Sequence, residues 1–408
     1  MNTIELADQS LCTGCGACAA RCPKHCISMR ENAVGIVLPV IDTTACIGCH
    51  TCEKACPILK TPEPHKPSEA YAAWSSDGAE RVTSASGGVA IEMYKHAVAN
   101  GYAAVGASQN DDFSVTHKLV TSADGLFQFK NSKYVFSDAY DAFADIKKAL
   151  RESRKVIFIG LPCQVAALRK LFRDDSLLLV DLVCHGTTPL SYLRQHIGML
   201  SRQAGKVAKR MSFRDPAHDT CKFTLTLYDI RGKFYAKRTK DGDTYQFGYH
   251  RAVSYRENCY HCRFACAERQ GDITIADYHG LGLCAPASFS SRKVSLVLIN
   301  TGKGKAFVEE LVSGGRVHVE PRPLEEPFQG HHSPVPPQKP FKGEPQLRHP
   351  SVKSKYRMAF EKEIVRHGGD FEQAIKRLQR KYMAQMRIVG VVSLPKKILR
   401  KVKKTIIG

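Results

Sequence analysis

The chain has 408 residues, of which 43% are hydrophobic, and this length is typical of two or three domains with apolar cores. Its apolar runs fall far short of the roughly 20 residues that a membrane-spanning helix needs, and residues 1–6 lack the basic start and apolar core of a signal peptide. The net charge of +21 is concentrated at one end, where residues 346–408 hold seventeen Lys and Arg against four Asp and Glu.

Residues 1–58 carry one cysteine pattern twice. Each copy reads C-x2-C-x2-C-x3-C-P, the spacing of bacterial two-cluster ferredoxins, in which the fourth cysteine ligates the other cluster. A disulfide framework or zinc sites are the alternatives, and two complete copies with their prolines disfavour both. We therefore predict two 4Fe-4S clusters, held by a first set (Cys12, Cys15, Cys18 and Cys56) and a second set (Cys46, Cys49, Cys52 and Cys22).

The ferredoxin pattern also predicts the surroundings of these cysteines. Gly14, Gly16 and Gly48 leave room for backbone N–H groups to approach the sulfurs. Thiolates that hold iron need a reducing compartment, so we expect the chain to be cytoplasmic.

A proline-rich linker at 59–69 leads into a stretch where strands and helices alternate. We predict strands at 70–75, 103–107, 155–159 and 177–183, and helices at 87–100, 138–153, 164–172 and 190–203. This alternation indicates a mostly parallel α/β sheet. Residues 207–300 alternate differently and predict antiparallel hairpins at 211–213, 223–228 and 233–239. Nine prolines at 321–350 predict an extended segment, followed by a basic helical end.

Five further cysteines lie in the middle of the chain. Cys163 and Cys184 each follow a predicted strand, so both are expected at the carboxyl edge of a parallel sheet, where α/β folds build their sites. Cys259, Cys262 and Cys266 come later. Four of these five are able to hold a third cluster. Buried structural thiols together with a zinc knuckle are the alternative, and the spacing leaves both open.

Two shorter motifs have a functional and an ordinary interpretation. Residues 84–88 open a predicted helix with hydroxyls and glycines, as a phosphate cradle does, and as an ordinary N-cap also does. Asp272 and Asp277 stand at the ends of a short strand, where they fit a metal or ribose contact or a satisfied turn.

In this order the motifs resemble the family of coenzyme F420 hydrogenase/dehydrogenase beta subunits, in its bacterial form with an N-terminal double-cluster ferredoxin domain. Genes for that form often lie among polysaccharide-biosynthesis genes. The resemblance covers roughly residues 1 to 385. The stretches that carry it are 84–88, 132–135, 160–164, 183–186, 259–265 and 272–280.

The resemblance implies cofactors in the middle of the chain. It implies an FAD, with a cofactor-binding set of Ser84, Ser86, Gly87, Gly88, Lys133 and Tyr134. It also implies a third 4Fe-4S cluster on a third set, Cys163, Cys184, Cys259 and Cys262, with Cys266 as a substitute ligand. The chain departs from the family at Ala276 and at Tyr278-His279, where the family has a glycine and an aromatic pair, so its local contact with flavin or substrate differs.

Clusters pass single electrons, whereas a flavin joins one-electron and two-electron steps, and the protein supplies positioning and tuning. We therefore expect an iron-sulfur flavoprotein oxidoreductase that exchanges electrons between a donor or acceptor protein, or a reduced carrier, and an unidentified organic substrate. Polysaccharide biosynthesis is the setting that the resemblance suggests. Tyr134, His185 and Asp277 are candidate proton donors, and no catalytic residue is assigned.

The alternative function is a non-catalytic electron-transfer subunit that docks on a separate oxidoreductase. A nucleic-acid role is not expected, because the basic excess is confined to the end of the chain and no nucleic-acid motif is present. Residues 394–408 have apolar residues at helical spacing with basic residues between them. They predict either a peripheral contact with the inner face of an anionic membrane or a disordered basic tail.

The predicted fold class is a multidomain α+β and α/β chain. A bacterial two-cluster ferredoxin module at 1–58 and a linker at 59–69 precede a mixed, partly parallel flavin-binding α/β domain at 70–320, with parts 70–150 and 151–320. An extended segment at 321–350 and a basic helical end at 351–408 complete the chain.

Overall fold

A nine-stranded mixed sheet forms the centre of this computed structural model, which describes residues 4–32, 35–290, 292–328 and 353–385. The strands are β1 (Ile27–Glu31), β2 (Val37–Ile41), β3 (Glu69–Ser75), β4 (Ala103–Gln109), β5 (Val115–Val120), β6 (Ser137–Asp138), β7 (Val156–Gly160), β8 (Leu177–Leu182), β9 (Arg210–Ser212), β10 (Leu225–Asp229), β11 (Gly232–Lys237), β12 (Ile273–Asp277), β13 (Ser295–Ile299) and β14 (Val317–Arg322). The helices are α1 (Ala17–Arg21), α2 (Thr51–Ala55), α3 (Gly78–Thr83), α4 (Val89–Ala99), α5 (Ala142–Arg151), α6 (Pro162–Leu171), α7 (Leu190–Ala204), α8 (Thr244–His250), α9 (Gly302–Ser313) and α10 (Lys355–Arg366), and residues 371–385 are also helical.

The strand order of the central sheet is β14-β3-β13-β12-β8-β7-β4-β5-β6. Strands β4, β7, β8 and β12 run parallel in its middle, and antiparallel strands extend it on both sides. The expected mixed, partly parallel α/β class is confirmed. The strand predicted at 70–75 is correct, but it does not join the parallel alternation. It lies antiparallel between β13 and β14, because later segments of the chain return to cover it.

Helices cover both faces of the sheet. In β7 and β8 alternate residues point to opposite faces, so Ile157 and Val180 pack with α4 and α9, while Phe158 and Leu179 pack with α5 and α6. Burial on both faces explains why the sequences of these two strands are nearly continuous apolar runs.

A second core lies beside the central sheet. The three-stranded antiparallel sheet β11-β10-β9 confirms the predicted hairpin region, and helices α7 and α8 pack in the same cluster. The described part of the basic end, residues 353–385, is largely helical and packs here too. The buried side chains it contributes are Phe360, Ile364, Phe371, Ala374, Ile375 and Leu378.

The first 58 residues form a small module of one antiparallel hairpin, β1-β2, and two short helices, α1 and α2. Each helix ends at the cysteine before a proline, with Cys22 at φ −68° and Cys56 at φ −73°. The residue before a proline disfavours helical backbone, so the sequence itself stops both helices there. Ala17 of α1 packs in the core that also holds α6, which joins this module to the central sheet.

Within the described residues, no helix combines the length and the apolar character that crossing a membrane requires. The predicted membrane contact at 394–408 lies outside the described residues, as does most of the predicted extended segment at 321–350.

Candidate functional site

A cavity at the carboxyl edge of the parallel strands is lined by all four cysteines of the third set. Cys163 lies in the first turn of α6, directly after β7, and Cys184 follows β8. Because β7 and β8 are parallel neighbours, both cysteines reach the same edge of the sheet. Cys259 lies on a short 3-10 helix and Cys262 follows that helix. The structure thus brings together cysteines that are up to about a hundred positions apart in sequence.

Cys266 is placed differently. Its Sγ donates to the carbonyl oxygen of Glu268 at 3.1 Å, and it is not among the residues that line the cavity. Of the five candidate cysteines in the middle of the chain, the four of the third set are therefore the ones that share one cavity.

The second set lines another cavity, in the ferredoxin module. Cys46, Cys49 and Cys52 come from the second copy of the pattern and Cys22 comes from the first. A ninth cysteine that sequence reasoning missed, Cys26, lines the same cavity, and its Sγ lies 3.4 Å from that of Cys22. Its only sequence signal is its position, four residues after Cys22.

The first set is also brought together across the two copies. Burial raises the pKa of Cys15 to about 11, and negative charge at Cys12 and at Cys56 adds to the shift. Burial likewise raises the pKa of Cys18, with Cys15, Cys12 and Cys56 adding to it. Cys56 of the second copy thus stands close to the trio of the first copy, as the ferredoxin pattern predicts.

The backbone around the first set suits sulfur ligands. The Gly14 N–H donates to Cys12 Sγ at 3.5 Å, which is the approach that the glycine pattern predicts. Cys15 and Gly14 also line the cavity of the third set. The first and third sets are therefore neighbours, whereas the second set occupies a cavity of its own.

The chemistry of the third cavity fits an iron-sulfur cluster. Four thiols face a pocket whose other walls include the apolar side chains of Ala139, Leu161 and Phe264. Burial raises the pKa of Cys184 and of Cys262 to about 12, so both are thiols at neutral pH unless a metal replaces their protons. In the described part of the chain no three His, Cys, Asp or Glu side chains are grouped to hold a single metal ion.

The side chains predicted to contact FAD are engaged with the protein. Lys133 Nζ donates to three carbonyl oxygens, at distances of 2.8 to 3.1 Å. Burial lowers its pKa, and the carbonyls stabilise its ammonium group. The hydroxyl of Ser84 donates to Glu80 at 3.1 Å and that of Ser86 to the carbonyl of Val294 at 3.0 Å.

The two glycines of this motif serve the backbone. The Gly87 N–H donates to Ser295 Oγ at 3.0 Å, and a Cβ there would lie 2.5 Å from the carbonyl oxygen of Ala73. Gly88 is the N-cap of α4 with φ +86°. Residues 84–88 thus contain the N-cap of α4, as the ordinary interpretation expects, and their contact with a flavin stays a prediction.

Tyr134 belongs to a buried cluster around Arg214, a residue that sequence reasoning missed. Arg214 Nε donates to Tyr134 Oη at 2.6 Å and Nη2 donates to Asp277 at 2.7 Å. The guanidinium also lies 3.7 Å from the ring centroid of Phe223. Burial alone would raise the pKa of Asp277, but Arg214 and His279 lower it below its ordinary value. An arginine just beyond a predicted hairpin strand is the only signal that sequence offers for this site.

His185 lies between this cluster and the third set, since its ring centroid is 5.5 Å from that of Tyr249, which lies 4.7 Å from that of Tyr134. It directly follows Cys184, lines the same cavity, and its Nδ1 lies 2.8 Å from Tyr255 Oη. Burial lowers the pKa of His185 to about 4, so the ring is neutral at physiological pH. Of the three candidate proton donors, Tyr134 and Asp277 both contact Arg214, and His185 lies nearer the cysteines.

Two known proteins are similar to this chain. The chain is 24% identical over 334 residues to the F subunit of the F(420)H(2) dehydrogenase of Methanosarcina mazei, and the match covers 78% of this chain and 87% of that protein. A chain of the F420-reducing NiFe hydrogenase complex from Methanosarcina barkeri is 19% identical, with a TM-score of 0.42, and the match covers 64% of this chain and 84% of that one.

Two family models match separate parts of the chain. Residues 11–58 match the 4Fe-4S dicluster domain, and residues 153–324 match the C terminus of the beta subunit of coenzyme F420 hydrogenase/dehydrogenase. The second match includes all four cysteines of the third set, Arg214 and Asp277. A stretch that matches the 4Fe-4S dicluster domain therefore lies ahead of a region that matches the C terminus of the coenzyme F420 hydrogenase/dehydrogenase beta subunit.

Proposed function

We propose that this chain carries electrons between a partner protein and an organic two-electron carrier of the coenzyme F420 class, along three iron-sulfur sites. The single observation that carries the proposal is the order of the cysteine sets in space. The second set occupies a cavity of its own, and Cys15 of the first set lines the cavity of the third set. A 4Fe-4S cluster, when bound, supplies one-electron transfer at a potential set by its surroundings.

The second set is suited to be the outer one of the three sites, where electrons are exchanged with the partner protein. Cys49 is exposed, and Ile47, which lines the same cavity, is 60% exposed. This exposure leaves the second set accessible to a protein that delivers or removes electrons. We propose that the electron-transfer partner docks at this end of the ferredoxin module.

The third set is suited to be the inner one of the three sites, where electrons are exchanged with the organic carrier. His185 lines its cavity, and the ring of Tyr249 lies between His185 and Tyr134 of the buried cluster with Arg214 and Asp277. Arg214 orients the phenol and the carboxylate, and the Tyr134 phenol, whose pKa is raised by burial, is able to hold a proton near a reacting carrier. The relative from Methanosarcina mazei is named a dehydrogenase of reduced F420, which supports a carrier of that class here.

A second candidate function is the non-catalytic subunit that docks on a separate oxidoreductase. The same relative is named as a subunit, which favours this alternative. Turnover by the purified chain alone discriminates between the two functions. The FAD of the cofactor-binding set stays a prediction without support from the contacts of Lys133, Ser84 and Ser86, and no step is assigned to it. A role in polysaccharide biosynthesis is likewise a prediction without structural support.

The test is anaerobic turnover of the purified chain with reduced methyl viologen as donor and coenzyme F420 as acceptor. We expect the wild type to reduce the carrier, the Cys163→Ser variant to lose this activity, and the Cys284→Ser variant to keep it. Cys284 is an exposed cysteine and serves as the matched control. Rapid reduction of the clusters in a wild type that does not turn over would establish the docking subunit instead.

Released flavin is measured on the same preparation. One FAD per chain supports the cofactor predicted from the resemblance. Full turnover by flavin-free protein would exclude it.

A further inference from the structure

Arg256 brings a buried positive charge to the cavity of the third set. The residue is 3% exposed, and it stands immediately before the 3-10 helix Glu257–His261, which carries Cys259. Its backbone N–H donates to the carbonyl oxygen of Thr187 at 2.8 Å, and its own carbonyl accepts from Cys259 N at 3.0 Å. The main chain on either side of Arg256 is therefore fixed relative to a cysteine of the third set.

The guanidinium of Arg256 extends to the first set. Nη1 donates to the carbonyl oxygen of Thr13 at 2.9 Å, within the loop between Cys12 and Cys15. Nη2 lies against the same loop, since a Cβ on Gly14 would be only 2.9 Å from it. The group also lies 4.2 Å from the ring centroid of Phe136. One arginine thus contacts the loop of the first set while lining the cavity of the third.

This guanidinium is incompletely satisfied within the described chain. Neither Nε nor Nη2 has a hydrogen-bond partner there, although both are buried. Burial lowers the pKa of Arg256, and the groups that oppose this are Cys259, Cys163, Cys12 and Cys15. No carboxylate of the described residues forms an ion pair with it, and Asp138 interacts with its charge only at longer range. A buried charge without a partner is strongly unfavourable, so the opposing charge is expected from the cysteine sets on its two sides.

We propose that Arg256 is a positioning residue shared by the first and third sets, where it compensates thiolate charge and directs its unpartnered N–H groups toward the ligands of both clusters. The inference rests on the proposed function, because it requires clusters at both sets. Reduction of a cluster adds one negative charge, and a nearby buried cation favours that added charge. Arg256 therefore makes the first and third clusters easier to reduce, while the second cluster, in its separate cavity, is little affected.

The test is a potentiometric titration with dithionite as the electron donor, followed by electron paramagnetic resonance on the full-length protein. For Arg256→Gln we expect two of the three midpoint potentials to fall, with the reduction equilibrium about tenfold less favourable, which is about 59 mV for one electron. The third potential, from the second cluster, should not move. Arg256→Lys keeps the charge but loses the planar fork, so we expect a smaller shift in the same direction.

Arg357→Gln is the matched control. Arg357 is also buried, at 7% exposure, but carboxylates pair with it, Glu257 at 3.2 Å and Glu361 at 2.9 Å. We expect unchanged potentials for this variant. Loss of iron in Arg256→Gln while Arg357→Gln and Arg256→Lys remain loaded would also support the proposal, because Arg256→Lys keeps the charge at the cysteine sets and Arg357→Gln removes a charge that carboxylates pair with.

Two results would overturn the proposed role of Arg256. One is a set of unchanged potentials in fully loaded Arg256→Gln, or in Arg256→Lys if only that variant loads. The other is equal iron loss in Arg256→Gln and Arg357→Gln, which is what any damaged core would give. A wild type that shows only two cluster signals refutes the three-site function itself and is distinct from both results.

Discussion

At Gly14 the backbone of the first cysteine loop turns with φ +65°, in the left-handed region that favours glycine. A Cβ at this position would lie 2.5 Å from the carbonyl oxygen of Val37 and 2.9 Å from Arg256 Nη2. The residue therefore combines two requirements, an unusual backbone and close contact on both sides. Its N–H also donates to Cys12 Sγ, so the geometry of the first set depends on it.

We predict that Gly14→Ala destabilises the fold and reduces iron content. The left-handed backbone alone costs about 1–2 kcal/mol for a residue with a Cβ, and the two close contacts add to it. Gly205→Ala is the control, because Gly205 has φ +59° but no atom within 4 Å of a Cβ. Denaturant unfolding and iron analysis measure both effects. Equal losses of stability in the two variants, with full iron in each, would contradict this explanation.

At the residue scale as well, His196 makes the stability of the folded protein depend on pH. Its ring is 1% exposed and bridges two carboxylates, Glu372 at 2.6 Å and Asp243 at 3.0 Å. Burial alone would lower the pKa of His196, but the two carboxylates raise it to about 9 from an ordinary 6.5. When folding raises the pKa of a histidine, its full contribution to stability is present at pH values below the pKa that the histidine has in the unfolded chain. This contribution is lost as the pH rises through the pKa that the histidine has in the folded protein.

We predict that wild type is more stable than His196→Gln below pH 6.5, by about 3 kcal/mol for a shift of this size. The difference should shrink between pH 6.5 and pH 9 and be small above that range. Taking the difference between the two proteins cancels other titrating groups, such as the buried Lys133. Urea unfolding at a series of pH values gives the curve. A difference that stays constant across the range would show that His196 contributes packing alone.

At the scale of elements, the described part of the basic end is integrated into the second core. Helix α10 and the helix at 371–385 bury Phe360 and Phe371 against Tyr192 of α7. Glu372 of the same end pairs with His196. These contacts bring the end of the described chain onto the hairpin region, so they contribute to its stability.

We predict that Phe360→Ala destabilises the protein by about 3–5 kcal/mol, as removal of a buried aromatic side chain does. Phe360 is 1% exposed, whereas Val365 of the same helix is 80% exposed. Val365→Ala is therefore the control and should change the free energy of unfolding by less than about 0.5 kcal/mol. Similar small changes in both variants would mean that α10 is not part of the cooperative core.

Sequence reasoning predicted the elements whose pattern lies within a few neighbouring residues. The ferredoxin spacing, the buried runs of β7 and β8 and the hairpin alternation are local, and they predicted the correct elements. The neighbours of β3 were not predictable, because antiparallel pairing with β13 and β14 depends on segments more than 200 residues away.

The same distinction applies to the site. Cys163 and Cys184 were placed at one sheet edge because the parallel order of β7 and β8 followed from local alternation. Arg256, Arg214 and Cys26 were missed, since nothing in their neighbouring sequence distinguishes them from ordinary residues. Only the folded chain brings Arg256 between Thr13 and Cys259.

At the scale of the whole molecule, the ferredoxin module and the central sheet share one cavity. Cys15 and Gly14 of the module line the cavity whose other walls include the segments that follow β7 and β8 and the segment around Cys259. Separating the module from the sheet would therefore expose the third set to solvent. The proposed transfer of electrons depends on this shared cavity.

The most direct test of the three-site account is iron and sulfide per chain after anaerobic purification, for wild type, Cys262→Ser and Cys266→Ser. We predict about twelve iron atoms for wild type, as three four-iron clusters require, and about eight for Cys262→Ser. Cys266→Ser should keep about twelve, because the Cys266 thiol points to the carbonyl of Glu268 and not into the cavity. About eight iron atoms in all three proteins would contradict the account.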